Sequence, residues 1–181
     1  MELMKNLILL ITIALTLSCC DNDDDNSGDT LPPATQTGAN TVGCLVNGQV
    51  FLPKSEGINP AVVVNYEFIN GDFFFTLRFS DLRNSSNEGV RLRTQRVDLQ
   101  TGEIYILNMN TIDNGDFSGS GAEYQTSLSN EYLTNSSFTG ELSITRVDTV
   151  NSIISGTFWF DAINTNGVIV EIREGRFDYV Y

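Results

Sequence analysis

The sequence predicts an all-β domain preceded by a signal peptide and a disordered tether. Three observations carry that expectation. From Val42 onward apolar residues recur with period two, the spacing of a strand with one buried face. Asn-Gly and Gly-containing turn signals separate these runs. No stretch after residue 41 has the periodicity of an amphipathic helix.

In chain order, Val62, Val64, Tyr66 and Phe68 alternate with Val63, Asn65, Glu67 and Ile69, and Asn70-Gly71-Asp72 marks a hairpin turn. Phe73, Phe75, Leu77 and Phe79 come back on one face, with Phe74, Thr76 and Arg78 opposite. The alternation returns in Val90-Leu92 against Arg91-Arg93, and in Ile104-Ile106 against Tyr105-Leu107. Near the end, Leu142-Ile144, Ile154-Gly156-Phe158-Phe160, Val168-Val170-Ile172 and Phe177-Tyr179-Tyr181 each fill one face. Asn47-Gly48, Asn166-Gly167 and Glu174-Gly175 punctuate the strands. Residues 108–138, rich in Asn, Ser, Gly and Thr, read as a long loop or as two weakly marked strands. One-sided strands on short turns must curl or double up to hide their apolar faces. The expected architecture is a single antiparallel up-and-down barrel, calycin-like, or a β-sandwich, of about eight to ten strands.

Ahead of this domain, Leu7 to Leu17 is an uncharged apolar run broken only by Thr12 and Thr16. As a helix it covers roughly 16 Å, about half of a hydrocarbon core, which is the length of a signal h-region rather than a membrane span. It ends in Leu17-Ser18-Cys19-Cys20, followed by Asp21, Asp23, Asp24, Asp25 and Asp29 with no base among them. Residues 21–41 hold no aromatic side chain and little aliphatic bulk, too little to offset ordering entropy.

That apolar run, small residue, cysteine and acidic tail resemble a bacterial lipoprotein signal. The resemblance implies a lipidated cysteine and therefore a membrane partner held through acyl chains. Ser18 directly before it favours Cys19, whereas Leu17 three residues back speaks for Cys20; Cys19 is preferred. The acids behind the cysteines resemble surface-sorting signals of Bacteroidetes lipoproteins, and they also make a self-repelling spacer. The expected division is a signal peptide over 1–18, a lipidated acidic tether over 19–41 and a β-rich domain over 42–181. The segments Leu31 to Gly48, Ile154 to Phe160 and Glu174 to Asp178 are similar to those of uncharacterised secreted lipoproteins from flavobacteria. That resemblance implies secretion, an outer-membrane lipid anchor facing the cell surface or the periplasm, and a β-rich domain. It brings no activity and no catalytic residue.

Composition excludes more than it assigns. The 181 residues carry a formal charge of -13, and Glu2 and Lys5 cancel within the leader, so nucleic acid is a poor partner. Histidine is absent, which removes histidine-based nucleophile, acid/base and metal chemistry. No phosphate loop or dinucleotide fingerprint is present, so no cofactor is implied and a non-enzyme is expected. Asp113-Asn114-Gly115-Asp116 reads as a turn rather than a calcium loop, and Cys44 as a small buried hydrophobe rather than a disulfide partner of the unlipidated cysteine.

Trp159, the single tryptophan, has parity opposite Phe158 and Phe160. If those two face the core, Trp159 points outward beside Asp161, as in surfaces that stack a sugar ring; burial under a loop is the plainer reading. Arg91, Arg93 and Arg146 form either a local basic stripe or cross-strand partners for acids. The leading expectation is a non-catalytic binding or accessory module for a glycan or an envelope partner. The alternatives are a hydrolase built on two carboxylates and a purely structural envelope protein.

Overall fold

The computed structural model describes residues 29–83, 87–111, 117–127 and 130–181. The leader, both candidate lipidation cysteines Cys19 and Cys20, and Asp113-Asn114-Gly115-Asp116 lie outside the described residues.

The domain is all-β. Its strands are β1 (Thr41–Val46), β2 (Gln49–Phe51), β3 (Val62–Ile69), β4 (Asp72–Asp81), β5 (Glu88–Gln95), β6 (Ile104–Leu107), β7 (Gly119–Ser127), β8 (Asn130–Leu133), β9 (Gly140–Asp148), β10 (Ile153–Ile163) and β11 (Ile169–Val180). They form one sheet in the order β2-β1-β11-β10-β9-β6-β7-β5-β4-β3, with β8 bridging β7 and β10. Asn47-Gly48 and Asn70-Gly71 turn with positive φ at both positions, the backbone that a tight hairpin needs and that Asn and Gly tolerate.

The sheet folds back on its own apolar face. Phe79 of β4 meets Phe158 of β10 at 6.2 Å between ring centroids, and Phe75 meets Phe177 of β11 at 5.9 Å. Val90, Leu92, Leu142, Ile144, Ile154, Phe160 and Ile172 fill the space between the two halves and are buried. The result combines features of the two expected architectures: one continuous sheet, as in a barrel, with two halves facing across a shared core, as in a sandwich. A partial ring closes where Ile163 of β10 pairs with Leu133 of β8.

Four details depart from the sequence reading. Among the described residues eleven strands are present rather than eight to ten; of the two readings of residues 108–138, the one with two weakly marked strands holds, as β7 and β8. The sheet is not wholly antiparallel: β6 runs parallel to β7 where Leu107 meets Ser120, because the chain crosses over after Leu107 before β7 joins β5. In β6 it is Leu107 that is buried while Ile104 and Ile106 are exposed, so the apolar-looking pair faces outward. Finally, Glu174-Gly175 does not separate two strands. It is a bulge inside β11, with Glu174 at φ 51°. The extra residue shifts the parity so that Val170, Ile172 and Phe177 all reach the core.

The folded body also starts earlier than residue 42. Asp178 lies on the last strand, opposite Thr41 of β1 and Ser155 of β10. Its carboxylate accepts hydrogen bonds from the Thr35 hydroxyl (2.7 Å), the backbone N–H groups of Thr37 (2.8 Å), Gly38 (2.8 Å) and Ala39 (3.1 Å), and the Ser155 hydroxyl (2.7 Å). In addition, the Val180 N–H donates to the Asn40 side-chain oxygen at 3.1 Å. Residues 35–40, expected within the tether, are therefore pinned to the closing strand. The expectation was built on their lack of apolar bulk, and polar bonds hold them instead. Cys44, by contrast, behaves as expected: its thiol is free and buried in the core, and desolvation pushes its pKa well up.

Burial works against the Asp178 charge, but the donors around it outweigh that cost and hold its carboxyl well below the usual range. A depressed folded-state value means that this stabilisation is complete above about pH 4 and is lost as pH falls from there. Asp178→Ala leaves these donors without their acceptor and should lower stability by about 3 kcal/mol at neutral pH. Urea denaturation followed by circular dichroism checks this, and the variant's deficit should shrink as the pH is taken down.

Candidate functional site

β10 carries an alternating signal through its middle. Phe158 and Phe160 point into the core, 3 % and 0 % exposed, so Trp159 between them points outward at 37 %. Cross-strand register then fixes its neighbours. Trp159 lies opposite Glu141 of β9, and Thr157 lies between Ser143 of β9 and Arg176 of β11. Together with Glu174 these side chains line a groove of about 360 Å³ on the outer face, closed on one side by Ala34 from the pinned N-terminal segment. On the neighbouring strand, Ile106 and Ile104 sit opposite Glu141 and Ser143 and extend the exposed face with apolar surface.

The tryptophan is held on two sides. Its indole N–H donates to the Glu141 carboxylate at 3.2 Å, and the Arg173 guanidinium lies 5.5 Å from the ring centroid, within cation–π range. Arg173 is fixed in turn by the Asp161 carboxylate at 2.6 Å and by donating to the Phe160 carbonyl at 3.1 Å. The sequence reading paired Trp159 with Asp161. The structure connects them only through Arg173, and Asp161 is not part of the groove lining. The carboxylate that touches the indole is Glu141.

Backbone fit is tight beneath this surface. Gly140, one residue before Glu141, has no room for a side chain: a Cβ there would stand 2.1 Å from the Trp159 carbonyl oxygen and 2.3 Å from Phe160 Cβ. Its glycine lets β9 approach β10 closely enough to set the Glu141–Trp159 contact.

Glu141 and Ser143 were legible in principle, since both have the parity opposite the buried Leu142 and Ile144. Arg173, Glu174 and Arg176 were hidden by the bulge, which changes which residues of β11 face outward. Of the sequence-noted arginines, Arg91 pairs with Glu123 at 3.0 Å, Arg146 with Asp148 at 2.6 Å, and Arg93 donates to the Thr111 carbonyl at 2.7 Å. They act as local partners and do not join the groove. Burial raises the Glu123 carboxyl, against the opposing pull of Arg91 and Thr111. That group sits on β7 and does not line the groove.

Because Trp159 is the single tryptophan, selectively excited tryptophan fluorescence reports on the groove alone. Arg173→Ala should uncover the ring and increase its quenching by acrylamide, with the far-ultraviolet spectrum unchanged. Gly140→Ala should cost about 3 kcal/mol of stability, since backbone rather than a flexible side chain must give way.

A family of domains of unknown function, DUF6252, matches residues 82–180, a span that runs from the end of β4 through β11 and includes every groove residue except Ala34. No curated protein and no solved structure matches the chain. With more than half of its length matched, the chain belongs to the DUF6252 family.

Proposed function

We propose that this protein is an envelope lipoprotein of Bacteroidetes type, anchored to the outer membrane by acyl chains on Cys19, with Cys20 as the alternative. Its β-rich domain is a non-catalytic binding or accessory module, displayed at the cell surface or into the periplasm, and a glycan is its ligand. The observation that carries the ligand is the outward Trp159, set in a groove whose other walls are carboxylates, hydroxyls and an arginine. A pyranose presents an apolar face to an aromatic ring and hydroxyls to such polar groups, and the mixture of one aromatic with a few polar groups is typical of small-ligand sites. Anchoring is supported by the apolar run, Ser18-Cys19 and the acidic stretch that follows.

A second reading, a carboxylate-based hydrolase, is favoured by one feature: Glu141 and Glu174 line the same groove. Retaining and inverting glycosidases both need such a pair. A glycan array probed with wild type and Trp159→Ala separates the readings. Binding that disappears in the variant, with no cleavage of the captured glycan, supports the module; cleavage abolished by Glu141→Gln supports the hydrolase. Metabolic palmitate labelling of the wild type, lost on Cys19→Ala, tests the anchor.

A further inference from the structure

Arg78 stands apart from the other cations of this acidic chain. Each other Lys or Arg side chain among the described residues is held by a carboxylate or a backbone carbonyl. Arg78 is half-buried, and its Nε is shut off from solvent with no hydrogen-bond acceptor. Strand register places Arg91 directly opposite it on β5, so two like charges sit side by side, an unfavourable cross-strand pair. Glu123 neutralises Arg91 at 3.0 Å. Among the described residues no carboxylate pairs with Arg78 in this way.

A cavity of about 430 Å³ lies over this side chain, between the segment leading into β3 and the ends of the strands β4 and β5. Glu56 and Asn59 wall it on one side, Leu82 and Asn87 on the other. Arg78 lines the cavity with a like charge beside it on β5, and a guanidinium fork matches a planar carboxylate with two parallel hydrogen bonds. Glu56 repels a bare anion but accepts a hydrogen bond from a hydroxyl, and the Asn59 amide can donate and accept. The cavity is of the size that holds a small organic ligand.

We propose that the Arg78 cavity is a binding site for a small hydroxylated carboxylate, of the kind represented by a uronic acid. The carboxylate sits on the guanidinium, and hydroxyls further along the ligand donate to Glu56 and exchange hydrogen bonds with Asn59. A phosphate or sulfate is disfavoured, because its extra charge would face Glu56. The site is independent of the Trp159 groove: Arg78 has the outward parity of β4 and Trp159 that of β10, and those strands pack against each other through Phe79 and Phe158.

Isothermal titration calorimetry at neutral pH and low salt tests this with D-glucuronate and D-galacturonate, using D-glucose and inorganic phosphate as controls. At least one uronate should bind the Trp159→Ala variant saturably, with a dissociation constant of about a millimolar, and glucose should not bind that variant. Arg78→Gln should weaken that binding at least about tenfold, with Arg78→Lys in between, since a point charge lacks the fork. Failure of both uronates to bind, full affinity in Arg78→Gln, or phosphate binding as tightly as the uronates overturns the proposal. Should Arg78→Gln not fold, the Nε–H resonance of Arg78 in the wild type decides: a shift on adding the uronate supports the site, and a resonance that stays in place overturns it.

Discussion

The fold rests on the need to hide one apolar sheet face. Phe75, Leu77 and Phe79 in β4 and Phe158, Phe160 and Phe177 in β10 and β11 are buried nearly completely. Neither half could keep that area from water alone. Curling the sheet until these rings meet solves the problem for both halves at once. It also accounts for the bulge in β11, because a strand of the wrong parity would bring polar residues into the seam.

The bulge in β11 shows how that constraint acts. Phe177 lies five positions after Ile172, an odd step, so a regular strand would send them to opposite faces. One extra residue at Arg173-Glu174 corrects this, with Glu174 in the left-handed region and Gly175 lying so close to Phe158 that a Cβ would stand 2.4 Å from its ring. The same correction presents Arg173, Glu174 and Arg176 to the outside, where they flank Trp159. Core packing and the make-up of the groove are thus two consequences of a single insertion.

Most strand positions and the Asn-Gly turns could be read from period-two patterning, and so could the outward parity of Trp159, whereas β7, β8 and the continuity of β11 could not. Nor could relations between strands be read. The link from Asp161 to Trp159 through Arg173, the closeness of Glu141 to the indole and the parallel contact of β6 with β7 depend on register, which local patterning does not encode. Residues 35–40 escaped notice for a different reason. Their attachment depends on one distant carboxylate, Asp178, rather than on apolar area of their own.

That attachment has a mechanical meaning. A pull on the N-terminal side of the domain does not reach β1 as a peeling force on a strand end. Past the Asp29–Lys54 ion pair it meets the Asp178 carboxylate, which spreads the load sideways into β11 and, through the Ser155 hydroxyl, into β10. The two ends of the folded body are tied together by this carboxylate, by the Asn40–Val180 bond and by the pairing of β1 with β11, so tension on the N-terminal segment would strain the broad central strands before it could unzip an edge.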